Sequence, residues 1–207
     1  MKGIIFSSFQ KSGDKKELIK NLSLLFFFSA VAAGVITGAL SGKYADEGLM
    51  KSLDLIFLTN MQLRSGTGLF TASFAANFIF LLAVFLSGLT LWGEAAAVIL
   101  PFIKGYGYGL MAGYIYSRYG ISGIFYNLLI ILPGAFIFAA VLSAAAREAF
   151  FNSVRITALF LKKPVNDDPA VQMKHYMMSM LWLLFLTAAA SAADMLFSLG
   201  FSWIFGF

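Results

Sequence analysis

The sequence predicts an all-α, polytopic integral membrane protein, and three observations support this prediction. Apolar residues make up 60% of the 207 residues, and the mean hydropathy is +0.83. Several apolar runs approach the roughly 18–20 residues that are needed to cross a hydrocarbon core of about 30 Å. Lysine and arginine cluster in residues 1–21 and 147–174, as they do in loops that stay in the cytoplasm. Backbone polar groups in lipid must be satisfied within each segment, so the spans are predicted to be helices.

We predict five transmembrane helices in a single membrane domain that covers residues 1–207. The first apolar run is longer than the core of a signal peptide, so it is interpreted as a retained helix. The segments between the spans are too short to form a soluble domain with its own core. The predicted helices are residues 22–40, 69–92, 95–116, 121–162 and 175–199. The fourth of these helices is predicted to extend into the cytoplasm.

The distribution of positive charge predicts a cytoplasmic N-terminus and an external C-terminus. Residues 1–21 contain five Lys, and residues 147–174 contain five Lys or Arg. The segments that are predicted to lie outside contain four, with Lys104 left out because it falls within a span. Five spans place both positive clusters on one side of the bilayer, as cytoplasmic segments require.

Residues 41–68, between the first two predicted spans, are expected to contain an external amphipathic helix. Leu49, Leu53, Ile56 and Phe57 recur at helical spacing, whereas the charged residues fall largely elsewhere. This pattern predicts a helix in the outer headgroup plane, which is either a packed connector or a docking surface.

The third predicted helix carries a face of small residues. Gly105, Gly109 and Gly113 are spaced four residues apart, so they stack on one side of the helix. Small residues let a neighbouring helix approach closely, and the resulting dispersion contacts replace the hydrophobic drive that lipid removes. The stripe predicts a close helix crossing, either within one chain or across a homodimer.

Three polar side chains fall within predicted spans. Lys104 lies either at mid-membrane or, if Pro101 breaks the helix, close enough to the inner surface to extend its ammonium group there. Asp194 and Glu94 are its candidate partners. Asn77 is expected to hydrogen-bond to another helix.

Two further positions are expected to shape the backbone. Pro133 should kink the fourth helix, because proline lacks a backbone N–H group and its ring crowds the preceding turn. Gly93 and Glu94 belong to a tight cytoplasmic turn between the second and third helices.

The composition argues against catalysis. The chain contains no cysteine, which excludes disulfides, thiolate metal sites and cysteine nucleophiles. Its single histidine, His175, provides too few ligands for a metal site and lacks a clear orienting acid for a serine–histidine pair. We therefore expect no enzymatic activity, no cofactor, no metal and no nucleic-acid partner.

Several sequence elements occur in a characteristic order, namely Ser73-Phe74-Ala75-Ala76-Asn77, Gly93, Phe102-Ile103-Lys104-Gly105 with Gly109 and Gly113, Tyr119-Gly120-Ile121-Ser122-Gly123-Ile124-Phe125, and Ile131-Leu132-Pro133. In order and spacing they resemble the stage II sporulation protein M family. The resemblance covers residues 22–163 well and the last helix in character only. Gly134-Ala135-Phe136 departs from it, because a more polar continuation is expected there.

The resemblance implies a non-catalytic scaffold in the bacterial cell membrane, located at the sporulation septum. Such proteins recruit two membrane-anchored peptidoglycan-degrading enzymes, the sporulation proteins D and P of the same stage, during engulfment. The alternative is a transport component or permease-like subunit, in which Lys104, Asn77 and Asp194 line a polar path through the membrane.

Overall fold

The computed structural model describes residues 2–44, 48, 51, 66–161 and 169–201. These ranges contain α-helices, one π-helical turn and no strand. Residues 48 and 51 are helical, but the rest of the predicted external amphipathic segment from 45 to 65 lies outside the described residues. The helices with defined bounds are α1 (Lys2–Lys43), α2 (Gly66–Ser87), α3 (Gly93–Tyr126), α4 (Leu132–Phe160) and α5 (Pro169–Phe201), with the π-helical turn at Asn127–Ile131.

Four helical stretches are long and apolar enough to cross a membrane, namely Asn21–Lys43, Gly66–Ser87, Gly93–Phe160 and Pro169–Phe201. The third contains 68 residues, so as a straight helix it would extend about 100 Å. It does not run straight, because Gly120 has φ 56° and ψ −130°. This left-handed φ is accessible to glycine without steric cost. The chain folds back there, and Gly123 packs against the carbonyl group of Ile115.

The helix bounds differ from the predicted ones at several places. α3 ends at Tyr126 instead of 116, α4 begins at Leu132 instead of 121, and α5 begins at Pro169 instead of 175. α1 begins at Lys2 and contains 42 residues instead of the predicted 19, because the helix includes the polar residues that precede the apolar run. α2 ends at Ser87, before the predicted end at 92, because the backbone then forms a hydrogen-bonded turn. In this turn the N–H group of Leu89 donates to the carbonyl group of Leu86, and that of Thr90 donates to Ser87.

The central helix of the bundle is α4, which contacts α1, α2, α3 and α5. Its inward face consists mainly of small side chains, and these let the surrounding helices approach closely. Phe138 and Leu142 are fully buried on the same helix and fill the space between the partners. The fully buried small residues of α4 are Ser143, Ala145, Ala146, Ala149 and Ser153.

The closest helix contact joins α1 to α3 through two glycine stripes. A Cβ atom on any of these glycines would overlap a carbonyl oxygen of the opposite helix. The two backbones therefore touch, in an arrangement typical of Cα–H···O contacts between helices. The stripe on α1 is Gly34, Gly38 and Gly42, and the stripe on α3 is Gly105, Gly109 and Gly113.

The register of this contact gives the direction of the two helices. Gly34 faces Phe102 and Tyr106, and one turn later Gly38 faces Tyr106 and Leu110. Residue numbers rise together along both helices, so α1 and α3 run parallel. Because α1 and α3 run parallel, α2, which lies between them in the sequence, has to run in the opposite direction.

Replacement of Gly109 by alanine tests the tightness of this crossing, because the added methyl group would overlap the carbonyl oxygen of Val35. We expect Gly109→Ala to reduce the free energy of unfolding by about 1–3 kcal/mol. Denaturant titration of the purified protein in mild detergent, followed by circular dichroism, measures the change.

Gly107 provides the matched control, since a Cβ atom there would meet nothing within 4 Å. Gly107→Ala should be neutral or stabilising by up to about 1 kcal/mol, because alanine favours the helix more than glycine does. Equal effects of the two substitutions would show that the contact between α1 and α3 is not tight.

Candidate functional site

A half-buried polar cluster joins α2, α4 and α5. The Ser73 hydroxyl group on α2 donates a hydrogen bond to the Asp194 carboxylate on α5. Gly134 on α4 faces the same carboxylate, and a Cβ atom at this position would overlap its Oδ1 atom. The absence of a side chain at Gly134 therefore makes room for Asp194, at the point where the sequence departs from the expected polar continuation.

A second hydrogen bond joins α2 to α5 one helical turn away. The Nδ2 atom of Asn77, which is 2% exposed, lies 3.4 Å from the Ser191 hydroxyl oxygen. That hydroxyl group donates in turn to the carbonyl oxygen of Thr187 at 3.0 Å. Asn77 follows Ser73 by four residues, so both side chains lie on one face of α2. The pairing of rising with falling residue numbers shows that α2 and α5 run antiparallel.

Lys104 is held among aromatic rings from three helices. Its Nζ atom lies 4.8 Å from the ring centroid of Phe80 on α2, 4.9 Å from Tyr108 on α3 and 5.2 Å from Phe138 on α4. Ring faces attract a cation at these distances through their quadrupole. Asp194 interacts electrostatically with the same ammonium group. Lys104 therefore lies among three aromatic rings within the bundle, with the Asp194 carboxylate near enough to act on its charge but more than 4 Å away.

The sequence left two positions for Lys104, at mid-membrane or, if Pro101 breaks the helix, near the inner surface. α3 begins at Gly93 and continues through Pro101 with helical backbone dihedrals. A continuous helix separates Glu94 from Lys104 by about 15 Å along the axis. Of the two candidate partners, Asp194 is therefore the one that the fold brings towards Lys104.

The turn between α2 and α3 is held by side chains of α4. The Nδ2 atom of Asn152 donates to the carbonyl oxygen of Gly88 at 2.9 Å, and the Ser153 hydroxyl group donates to that of Thr90 at 2.7 Å. Both side chains are buried and bond to carbonyl groups of the turn that follows α2, and the Thr90 carbonyl also accepts from the N–H group of Gly93. Gly93 packs against Ser87 and Ser153, with no room for a side chain.

Two other residues complete this end of the bundle. The Tyr176 hydroxyl group at the start of α5 donates to the carbonyl oxygen of Phe85 at 2.8 Å, and the two rings stack with centroids 5.7 Å apart. Glu94 lies in the first turn of α3, where a negative charge complements the helix dipole.

The irregular segment before Pro133 is a π-helical turn. The Leu132 N–H group donates to the carbonyl oxygen of Asn127, five residues earlier, and the Asn127 side chain donates to the Tyr116 hydroxyl group. Pro133 then lies in the first turn of α4, where its missing N–H group costs little. The interruption of the α-helix therefore precedes Pro133, and the predicted kink at this residue stays a prediction.

The chemistry available at the cluster is electrostatic and hydrogen-bonding. Within the described ranges, no group of three or more His, Asp or Glu residues is arranged to hold a metal ion. His175 lies 3.2 Å from the Ser179 hydroxyl group on the exposed side of α5. Among the described residues from 21 onward, the only ion pair within 4 Å is Arg147 with Glu148, so none of their carboxylates forms a salt bridge with that imidazole.

Several contributing residues were missed by sequence reasoning. Gly34, Gly38 and Gly42 repeat the four-residue spacing of the α3 stripe, and this signal could have identified α1 as the partner helix. Phe80 and Phe138 carry no comparable local signal, because they meet Lys104 only after three helices have packed together.

The pairing of Lys104 with Asp194 is testable by a double-mutant cycle. Asp194→Asn keeps a hydrogen-bond acceptor for Ser73 and removes the charge that faces Lys104. We expect it to destabilise the protein by about 1–3 kcal/mol, because a partly buried cation loses its counter-charge. The double variant with Lys104→Met should recover about 1 kcal/mol relative to the sum of the single effects.

Denaturant titration in detergent measures all four members of the cycle, and Arg155→Gln, which removes an exposed cation from α4, is the matched control. Strictly additive effects would show that the two charges do not interact.

Comparison with known proteins gives a family for the chain. No curated protein and no solved structure matches it. The model of the stage II sporulation protein M family matches residues 23–198, which include all the glycine-stripe and cluster residues. The resemblance noted in the sequence is thereby confirmed over most of the chain. This protein is a member of the stage II sporulation protein M family.

Proposed function

We propose that this protein is a non-catalytic scaffold that positions membrane-anchored peptidoglycan hydrolases at the septum during engulfment. The main support for this proposal is that the chain belongs to the stage II sporulation protein M family. This family is not a known enzyme family. The described geometry agrees with such a role, because its buried polar groups are used to join helices.

We further propose five membrane passes with a cytoplasmic N-terminus and an external C-terminus. The parallel α1 and α3, the antiparallel α2 and α5, and the reversal at Gly120 fit alternating passes. The turn from 88 to 92 lies at the same end of the bundle as Asn152 and Tyr176. Arg147, Arg155 and Lys174 occur near these positions in the sequence, so the positive charge gathers at one end, as a cytoplasmic face requires.

A scaffold needs surfaces that its partners can reach. The folded-back segment at Gly120 is one such surface, with Ile121 74% exposed directly after the reversal. In the proposed orientation it lies on the outer side, where wall hydrolases act. The proposed partners are the sporulation proteins D and P of the same stage, together with the lipid bilayer. The predicted external amphipathic helix would provide a second surface for partners on the same side of the membrane.

Photo-crosslinking in membranes from sporulating cells tests whether this protein binds peptidoglycan hydrolases as a scaffold. Because the chain has no native cysteine, Ile121→Cys carries a single thiol-linked photoreactive probe on the outer side. We expect this probe to capture a membrane-anchored peptidoglycan hydrolase, which mass spectrometry identifies.

Trp92→Cys is the matched control, since Trp92 is 85% exposed in the turn at the opposite end. It should capture no hydrolase. Recovery of only this protein and lipids from both positions would contradict the scaffold.

The second candidate function is a transport component, and one observation favours it. Lys104, Asn77 and Asp194 lie on three different helices and point into the same region of the bundle. Against a path, aromatic rings surround Lys104 and Gly134 packs against Asp194. A Lys104→Met variant that kept full function and assembly would exclude a charge-dependent pathway.

The homodimer stays a prediction. The stripe of Gly105, Gly109 and Gly113 is covered by α1 of the same chain. A dimer that used this stripe would have to displace α1.

A further inference from the structure

A groove of about 220 Å³ lies between α2 and α5, apart from the polar cluster. Its floor is formed by Leu81 and Met180, which are 4% and 6% exposed. Its walls are apolar and open to the surroundings of the bundle. The wall residues are Phe78, Leu82, Phe85, Met177, Leu181 and Leu184.

The groove lies between two fixed contacts of α2 with α5 and is open on its lateral side. The stacked rings of Phe85 and Tyr176 lie at one end, and the hydrogen bond between Asn77 and Ser191 lies beyond the other. Along α5 the groove extends from Met177 to Leu184, or about 10 Å. It is therefore a short lateral slot that faces lipid.

The size of the slot decides between two kinds of occupant. A transmembrane helix with its side chains is about 10–12 Å across. The groove extends only about 10 Å along α5, which is less than two turns of such a helix. A single acyl chain is much thinner than a helix and matches the apolar lining.

One positive charge lies beside the mouth of the slot. Lys174 is exposed and precedes Met177 by three residues. Lys174 and Met177 share one face of α5 with Leu181 and Leu184, as their spacing of three to four residues shows. His175, the next residue, points away from this face, and nearby Glu148 is paired with Arg147 at 2.6 Å. A basic side chain beside an apolar slot near the end of a transmembrane helix favours an anionic lipid headgroup.

We propose that the groove between α2 and α5 binds one acyl chain of an anionic phospholipid whose phosphate group is held by Lys174. The methionines suit this role, because their unbranched side chains adapt to a chain of variable shape. The site is separate from the scaffold surface at Gly120, so each can fail without the other.

The test measures phospholipid binding to the delipidated full chain in neutral detergent by native mass spectrometry. Phosphatidylglycerol is the anionic probe, and phosphatidylcholine with the same acyl chains is the zwitterionic one. We expect the wild-type chain to prefer phosphatidylglycerol. Lys174→Gln should weaken phosphatidylglycerol binding by about five-fold, as expected for one lysine at a membrane surface. It should weaken phosphatidylcholine binding less, because the choline group offsets the charge of the phosphate.

Two neighbouring methionines separate the groove from the rest of the helix surface. Met177 and Met178 are both 52% exposed, but only Met177 lines the groove. Met177→Trp should fill the slot and weaken binding of both phospholipids, whereas Met178→Trp should change neither. Arg155→Gln is the matched control for Lys174→Gln. Melting temperatures of all variants verify that they are folded.

Three results would overturn the proposal. The first is equal affinity of the wild-type chain for the two phospholipids, and the second is an unchanged phosphatidylglycerol affinity in Lys174→Gln. The third is loss of a co-purified protein from Met177→Trp while phosphatidylglycerol binding stays intact, which would make the groove a protein-docking site.

Discussion

Helices in lipid gain little from burying apolar side chains against one another, so this bundle depends on backbones that come close enough to touch. The glycine stripes of α1 and α3 provide this approach over three successive turns. The contact fixes both the neighbours and their relative direction. Since α1 and α3 run parallel, α2 has to run in the opposite direction to both, and the reversal at Gly120 then brings α4 back along α3.

α3 has two faces with different roles, and this division links the packing to the polar cluster. Gly105 faces α1, whereas Lys104, the preceding residue, points towards aromatic rings of α2 and α4. The tight contact on one side therefore holds the charge in place on the other. Asp194 completes the cluster from α5, and Gly134 leaves the space that its carboxylate needs. In this arrangement charges join helices, which suits a platform better than a path.

The sequence predicted features that depend on one helix and missed features that depend on several. The spacing of Gly105, Gly109 and Gly113 was sufficient to predict a close crossing, and the same spacing of Gly34, Gly38 and Gly42 on α1 was the unused signal for its partner helix. Hydropathy placed the end of the second helix at 92, because the turn that follows Ser87 contains Leu89, Leu91 and Trp92 and is itself apolar. The aromatic surroundings of Lys104 come from three helices, and no local pattern specifies them.

The central claim is that α1 packs against α3 within one chain, and cysteine crosslinking tests it directly. Val35 on α1 and Ala112 on α3 line the same pocket, and the chain has no native cysteine to interfere. With both cysteines in one chain, a short bifunctional maleimide should produce an internally crosslinked monomer. With the two cysteines on separate co-expressed chains, no crosslinked dimer should form. A dimer from the separate chains, with no internal crosslink in the double variant, would contradict the account.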